Sequence, residues 1–391
     1  MPFTCFARAF TRVFMLASAA CAAACFTSAV FAETKYETLS VSRMPEPTPH
    51  RLYISDFAVN HIVDGRVHVI DGDGLKYLGM IPTGYAGNTA LSIDRKEFYV
   101  ATTYYTRLYR GERVDVVEFH DTQTLEYKGE IIIPSRHGQA MPYKNLLRPS
   151  IDGRWLLIQN ATPATSVAVV DLKARKFAAE IPTPGCWAII PSQTDGSRFS
   201  TLCGDGALQT IALDENGNAK SRARSVRFFP PEEDPVFVHS ENIGDLHYLI
   251  SYKGLVYAAD LSGDEPRVAP PWSLISAEDA RKGWRPGGYQ LFAIHRKTKR
   301  LFVAVHPGGA DGSHKNPAQE IWVFDLDTKK RVARLPGNNA IAITVSQIDT
   351  PKLFAIDGVN MGLAVYDAGD KPRFLKRMEQ VGEVNVLMEL Q

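Results

Sequence analysis

Ten histidines, five cysteines and a recurring set of aspartates are the residues of this chain with chemistry to offer. The histidines run from His50 to His314, and no two stand four apart, the spacing that sets two imidazoles on one helix face as metal ligands. Asp71-Gly72-Asp73-Gly74 has the alternating carboxylates of a calcium loop but no glutamate at its twelfth position, so it reads as a tight turn. Gly204-Asp205-Gly206 reads the same way. The chain has no His-Glu-x-x-His helix, Gly-x-Ser-x-Gly elbow, phosphate loop, or Gly-x-Gly-x-x-Gly between a strand and a helix. Cys186 and Cys203, 17 positions apart, read as a disulfide in an oxidising compartment, where closing such a loop contributes about 3 kcal/mol. A two-cysteine metal site is the alternative, with no histidine near either residue.

The other three cysteines (Cys5, Cys21 and Cys25) lie in a leader-like segment. Arg8 and Arg12 precede an apolar, alanine-rich run from Val13 to Phe31, and Val30-Phe31-Ala32 is an acceptable cleavage site before Glu33. Residues 1–32 are therefore expected to be a signal peptide, cleaved near Ala32, and residues 33–391 a single exported domain. The run carries Ser18, Thr27 and Ser28 and lacks Leu/Ile density, so no permanent membrane anchor is expected. Loss of Arg8 and Arg12 turns the formal net charge from +1 to −1. No basic stripe remains to favour nucleic acid.

What must position any functional side chain is a repeat. Seven apolar runs end in an aspartate: Asp71, Asp121, Asp171, Asp214, Asp260, Asp325 and Asp367, with gaps of 50, 50, 43, 46, 65 and 42 residues. A polar turn and another short strand usually follow. Units of this size with several strands each predict an all-β, seven-bladed β-propeller. The last strand-like run, Val384–Leu390, is expected to join the first blade and close the ring, leaving no open edge. Ser276-Ala277-Glu278-Asp279 resembles a capping box opening a short loop helix before Gly283. The irregular stretches Tyr104–Arg113, Trp284–Tyr289 and Pro307–Lys315 are the long loops where binding is expected. Inner-strand carboxylates could hold calcium, as in propeller lactonases, so a calcium-dependent propeller hydrolase stays open, as does a propeller that only binds partners.

Several uncommon motifs carry a resemblance. Pro82-Thr83-Gly84-Tyr85-Ala86-Gly87-Asn88, Arg107–Glu118, Ala164–Asp171, Gly185-Cys186-Trp187 with Cys203–Gly206, and Gly283–Tyr289 resemble the heavy subunit of tryptophan tryptophylquinone amine dehydrogenases. Gln159–Ser166, Gly263-Asp264-Glu265 with Pro271–Leu274, and His306–Lys315 with Ala318–Val323 are similar to the aromatic (aralkylamine) branch, with methylamine dehydrogenase the alternative. The resemblance implies a seven-bladed propeller with a disulfide. It also implies a light subunit carrying the tryptophan tryptophylquinone and the catalytic base, in an α2β2 heterotetramer. That periplasmic complex would oxidise primary amines to aldehydes and pass electrons to a cupredoxin, azurin or amicyanin.

On this reading the chain supplies no catalytic residue, cofactor or metal ligand; it holds the light subunit and forms one wall of the substrate channel. Tyr85 is the foremost channel residue, standing where the methylamine branch has phenylalanine, with Ala86-Gly87 in place of bulkier Leu-Pro. Asn88, Tyr104 and Tyr105 are lesser channel candidates. Trp187 and Trp284 are expected to pack at a blade or subunit boundary.

Overall fold

The computed structural model describes residues 40–391, so the predicted signal segment lies outside the described residues. Among the described residues the fold is an all-β propeller built from antiparallel sheets. The closing strand is where it was expected. Asn385–Leu390 pairs with Arg51–Asp56, with Leu52 opposite Leu390 and Ile54 opposite Met388, and Gly65–Asp71 and Lys76–Gly84 complete that sheet. The next sheets take Asn88–Ile133, Leu147–Pro182, Cys186–Arg224 and Glu241–Ser273 in turn.

The last sheet has eight strands, seven on its main path and Phe292–His295 paired beside Arg300–His306, and differs from the expected regular repeat. Its strand Lys330–Val345 is 16 residues long. The first half pairs with Ala318–Asp325 and the second with Lys352–Asp357. It turns between them at Asn338 and Asn339, whose φ values are 46° and 56°, beside Gly337, where a Cβ would meet the Ala318 carbonyl at 2.3 Å. Six hydrogen-bonded sheets result among the described residues, because strand pairing resumes directly after this turn and joins one group of strands to the next.

The seven aspartates have one structural job. Each stands at the end of the next-to-outermost strand of its group, and its carboxylate accepts backbone N–H groups from the turn that follows. Asp214, for example, accepts from Asn216 and Asn218, both at 2.9 Å. An aspartate here satisfies turn amides that the ladder cannot reach.

The core lies between adjacent sheets, so the central strands are buried on both faces. Tyr99, Val117 and Ile131 of one sheet pack on Leu147, Ile158 and Val170 of the next, and Tyr53 stacks on Phe98 across the preceding junction. The capping-box helix is Ala277–Arg281, with Ser276 accepting from the Asp279 amide and Asp279 pairing with Arg331 at 2.9 Å. No helix among the described residues is long and apolar enough to cross a membrane.

Candidate functional site

Tyr85 sits on the turn joining Lys76–Gly84 to Asn88–Leu91, where Gly84 and Ala86 both have left-handed backbone, at φ 57° and 44°. A Cβ on Gly84 would lie 2.9 Å from Thr102 Oγ1, and one on Gly87 would lie 2.8 Å from the Thr83 carbonyl. Both glycines are thus required for the turn to lie flat on the strand Glu97–Tyr105. The tight turn leaves Tyr85 half-exposed and edge-on to Tyr105, with ring centroids 6.0 Å apart. The Tyr105 hydroxyl reaches Gln139, whose Nε2 is 3.3 Å away.

Tyr104 is not part of this pair. Neighbours on a strand point to opposite sides, and its hydroxyl donates to Glu118 Oε1 at 2.5 Å. Burial, then the Glu118 hydrogen bond and charge, push its phenol above the ordinary value. Glu118 in turn meets His120 at 3.3 Å, so Tyr104 belongs to a polar chain within its own sheet.

Asn88 does a different job again. It is 2% exposed, its Nδ2 donates to the Met141 carbonyl at 2.9 Å, and its Oδ1 lies 2.9 Å from His137 Nε2. These bonds tether the segment 137–146, which enters the axis of the ring. Ala140 packs on Phe57, Ala86, Val386 and Leu387, Asn145 donates to Ser240 at 2.9 Å, and Lys144 pairs with Glu389 at 3.3 Å. The segment is a plug held from several sides. Burial holds the His137 imidazole down to about 4, neutral at physiological pH.

Around the plug, on the end of the ring that carries Tyr85, lies an apolar cleft of about 280 Å³ lined by Tyr143, Phe237, Tyr252 and Tyr289, with Lys315 at its edge. Lys315 Nζ stands 5.3 Å from the Tyr289 ring centroid, a cation–π contact. Tyr289 also packs on the buried cluster of Phe57, Ala86, Val386 and Leu387, joining the cleft to the Tyr85 turn. The Gly-rich insertion Pro307–Lys315 forms one rim, anchored by the Tyr252 hydroxyl on Ser313 Oγ at 2.8 Å. Beyond Tyr105 the hairpin tip leaves Leu108 and Tyr109 67% and 64% exposed.

Cys186 and Cys203 face each other on adjacent strands and are bonded. Trp284 and Trp322 lie 5.2 Å apart, but Trp322 is fully buried, its Nε1 donates to Glu320 at 2.6 Å, and Arg331 covers its ring at 4.1 Å. This tryptophan pair is core packing, part of one buried cluster. Trp187 is half-buried beside Gly138 of the plug. Among the described residues no three His, Cys, Asp or Glu side chains gather as a metal-ligating group, so the calcium-dependent reading gains no ligand set.

A family model described as methylamine dehydrogenase heavy chain matches residues 48–389. The chain belongs to the methylamine dehydrogenase heavy chain family. It is 30% identical over 322 residues to the methylamine dehydrogenase heavy chain of Methylobacillus flagellatus, covering 81% of this chain and 79% of that one. It is 30% identical over 346 residues to the heavy chain of Methylophilus methylotrophus, covering 87% and 83%. In fold alone it resembles a β-propeller domain from Myceliophteria thermophila, with TM-score 0.56 at 9% identity over 86% of this chain and 98% of that one.

Within this heavy chain, Tyr85 and Tyr105 are brought together and Asn88 and Tyr104 are turned to other work. Tyr143, Phe237 and Tyr252 escaped the sequence reading. Each stands singly in a proline-bearing or polar stretch with no period to mark it, and only Tyr289, inside the Gly283–Tyr289 motif, carried a signal.

Proposed function

We propose that this chain is the heavy subunit of a periplasmic quinoprotein dehydrogenase acting on primary amines, with aromatic amines as its preferred substrates. The family match over residues 48–389 carries the heavy-subunit part of this reading. The light subunit supplies the tryptophan tryptophylquinone and the base, two copies of each chain form an α2β2 heterotetramer, and a cupredoxin (azurin or amicyanin) takes the electrons. The heavy chain contributes the end of the ring that bears Tyr85, Tyr105 and the aromatic cleft, and the exposed Leu108 and Tyr109 fit a surface covered by another subunit. The leader before Glu33 supports export, with the Cys186–Cys203 bond suited to that compartment.

The ring is read as seven blades. Dividing the strand Lys330–Val345 at Gly337–Asn339 turns the eight-stranded sheet into two units, and the seven aspartate-capped turns fall one to each.

Two observations pull the substrate in opposite directions. The tyrosine-lined cleft beside the Tyr85 turn favours a bulky aromatic amine. The names of the relatives favour methylamine. The test is kcat/KM of the purified two-subunit complex for phenethylamine and methylamine, with the heavy chain alone as control. Preference for phenethylamine, altered on Tyr85→Ala, supports the aromatic reading. Preference for methylamine replaces it, and amine-dependent dye reduction by the heavy chain alone overturns the division of labour.

A further inference from the structure

A second cavity, of about 480 Å³, opens on the axis under the plug, toward the ends of the inner strands remote from Tyr85. Its charged lining is Arg95, Lys144, Arg148 and Arg296 against Glu241 and Glu389, four cations to two carboxylates. Each comes from a different turn or inner strand. Glu389 is shared, 2.8 Å from Arg148 Nη1 and 3.3 Å from Lys144 Nζ, with all three side chains less than a fifth exposed. The other guanidinium N–H groups of Arg148 have no protein partner among the described residues. Arg296 spends its Nε on the Asn242 carbonyl at 3.1 Å and has no carboxylate within 4.0 Å. The closest ionisable neighbour of Glu241 is His239 Nε2 at 3.6 Å, a neutral imidazole held down to about 3 by burial. Burial also pushes the Glu241 carboxyl up, against the nearby charges of Lys144, Arg296 and Arg148.

One further group is unexplained by packing. His247 lines the cavity, is 3% exposed, and neither of its ring nitrogens has a hydrogen-bond partner. Buried polar groups are seldom left so without a ligand or ion to satisfy them. Arg95 and Arg296 are exposed at the cavity rim, while the half-buried Lys144 and Arg148 share the one carboxylate of Glu389.

We propose that this axial cavity binds one small dianion, of the phosphate or short dicarboxylate class, between Lys144, Arg148 and Arg296, with the His247 N–H as a neutral donor. Lys144 belongs to the plug and Glu389 to the strand that closes the ring, so the anion would tie both to the axis. The site does not depend on which amine the complex oxidises.

Calorimetric titration of the intact purified protein, exchanged into a buffer free of polyvalent anions, tests this with inorganic phosphate and succinate as separate probes. Saturable binding of one equivalent per chain is expected, with the tighter probe naming the class. Arg296→Gln, whose side chain makes only one hydrogen bond, is expected to weaken binding at least tenfold, and Arg148→Gln more. If Arg148→Gln fails to fold, Arg296→Gln decides alone. No saturable binding of either probe, or binding untouched by Arg296→Gln, overturns the site.

Discussion

Replacing Asn88 by alanine separates a tether from a channel lining. The side chain makes two buried hydrogen bonds, to the Met141 carbonyl and to His137, each 2.9 Å long. Met141 is half-exposed, so water can replace the lost donor and the cost there is about 1 kcal/mol. His137 is 1% exposed and its Nδ1 already lacks a partner, so losing Asn88 leaves the whole ring unsatisfied, at about 2 kcal/mol. The sum, about 3 kcal/mol, should appear as easier local opening of the plug. Hydrogen exchange of the amides in 137–146 is then expected to accelerate by about two orders of magnitude, since each 1.4 kcal/mol is tenfold. Asn88→Asp keeps an acceptor for His137 but sets a buried carboxylate against the Met141 carbonyl, so it should loosen the plug at least as much as alanine. An Asn88→Ala protein with plug exchange within tenfold of wild type, and an altered KM for amine, would refute the tether and return Asn88 to the channel.

Other outcomes follow from the same geometry. His137, His239 and His247 are held by burial at about 4, 3 and 4, below their ordinary 6.5, so the unfolded chain binds more protons as pH falls below that value. Stability measured by denaturant unfolding should therefore drop between pH 6.5 and 4, with a slope approaching about 4 kcal/mol per pH unit if all three titrate together, and His137→Gln should flatten it. Burial of Asp56 would raise its carboxyl, but bonds from His68 and the amides of Glu383, Val384 and Ala58 hold it well below the usual carboxylate range. Its contribution is present above the unfolded pKa near 3.8 and lost as pH falls further, and Asp56→Asn, measured at pH 7, should cost about 3 kcal/mol and loosen the closing strand. Reducing Cys186–Cys203 should lower stability by about 3 kcal/mol in the same unfolding assay. Lys329, exposed and at φ 56° in the turn after Asp325, should become about 0.5–1 kcal/mol more favourable as glycine, read as a rise in the urea midpoint.

How much of this was legible depends on whether the physics acts locally along the chain. The aspartate repeat could be read because each carboxylate caps a turn only two to four residues ahead, so residue type and position travel together. The disulfide could be read because its partners lie opposite one another on adjacent strands of one sheet. The continuous strand Lys330–Val345 could not, since whether a linker is extended depends on which strands flank it in space. The plug was hidden for the same reason. Its residues show no period, and its anchors (Asn88, Ser240 and Glu389) are scattered across the chain.

The Tyr104–Tyr105 pair is the instructive case. A period of two along Glu97–Tyr105 already sends the two rings to opposite sides of the strand, and only the long-range contacts of Tyr105 with Tyr85 and Gln139 say which one joins the Tyr85 turn. A propeller collects its functional surfaces one or two residues per repeat, from positions as far apart as Arg95 and Glu389. Local motifs therefore report the platform, while the chemistry of either end of the axis emerges only when the ring is closed. Ring closure itself rests on Asp56 and the strand Asn385–Leu390, so a change there should disturb the aromatic end and the charged cavity together, though they lie on opposite sides of the plug.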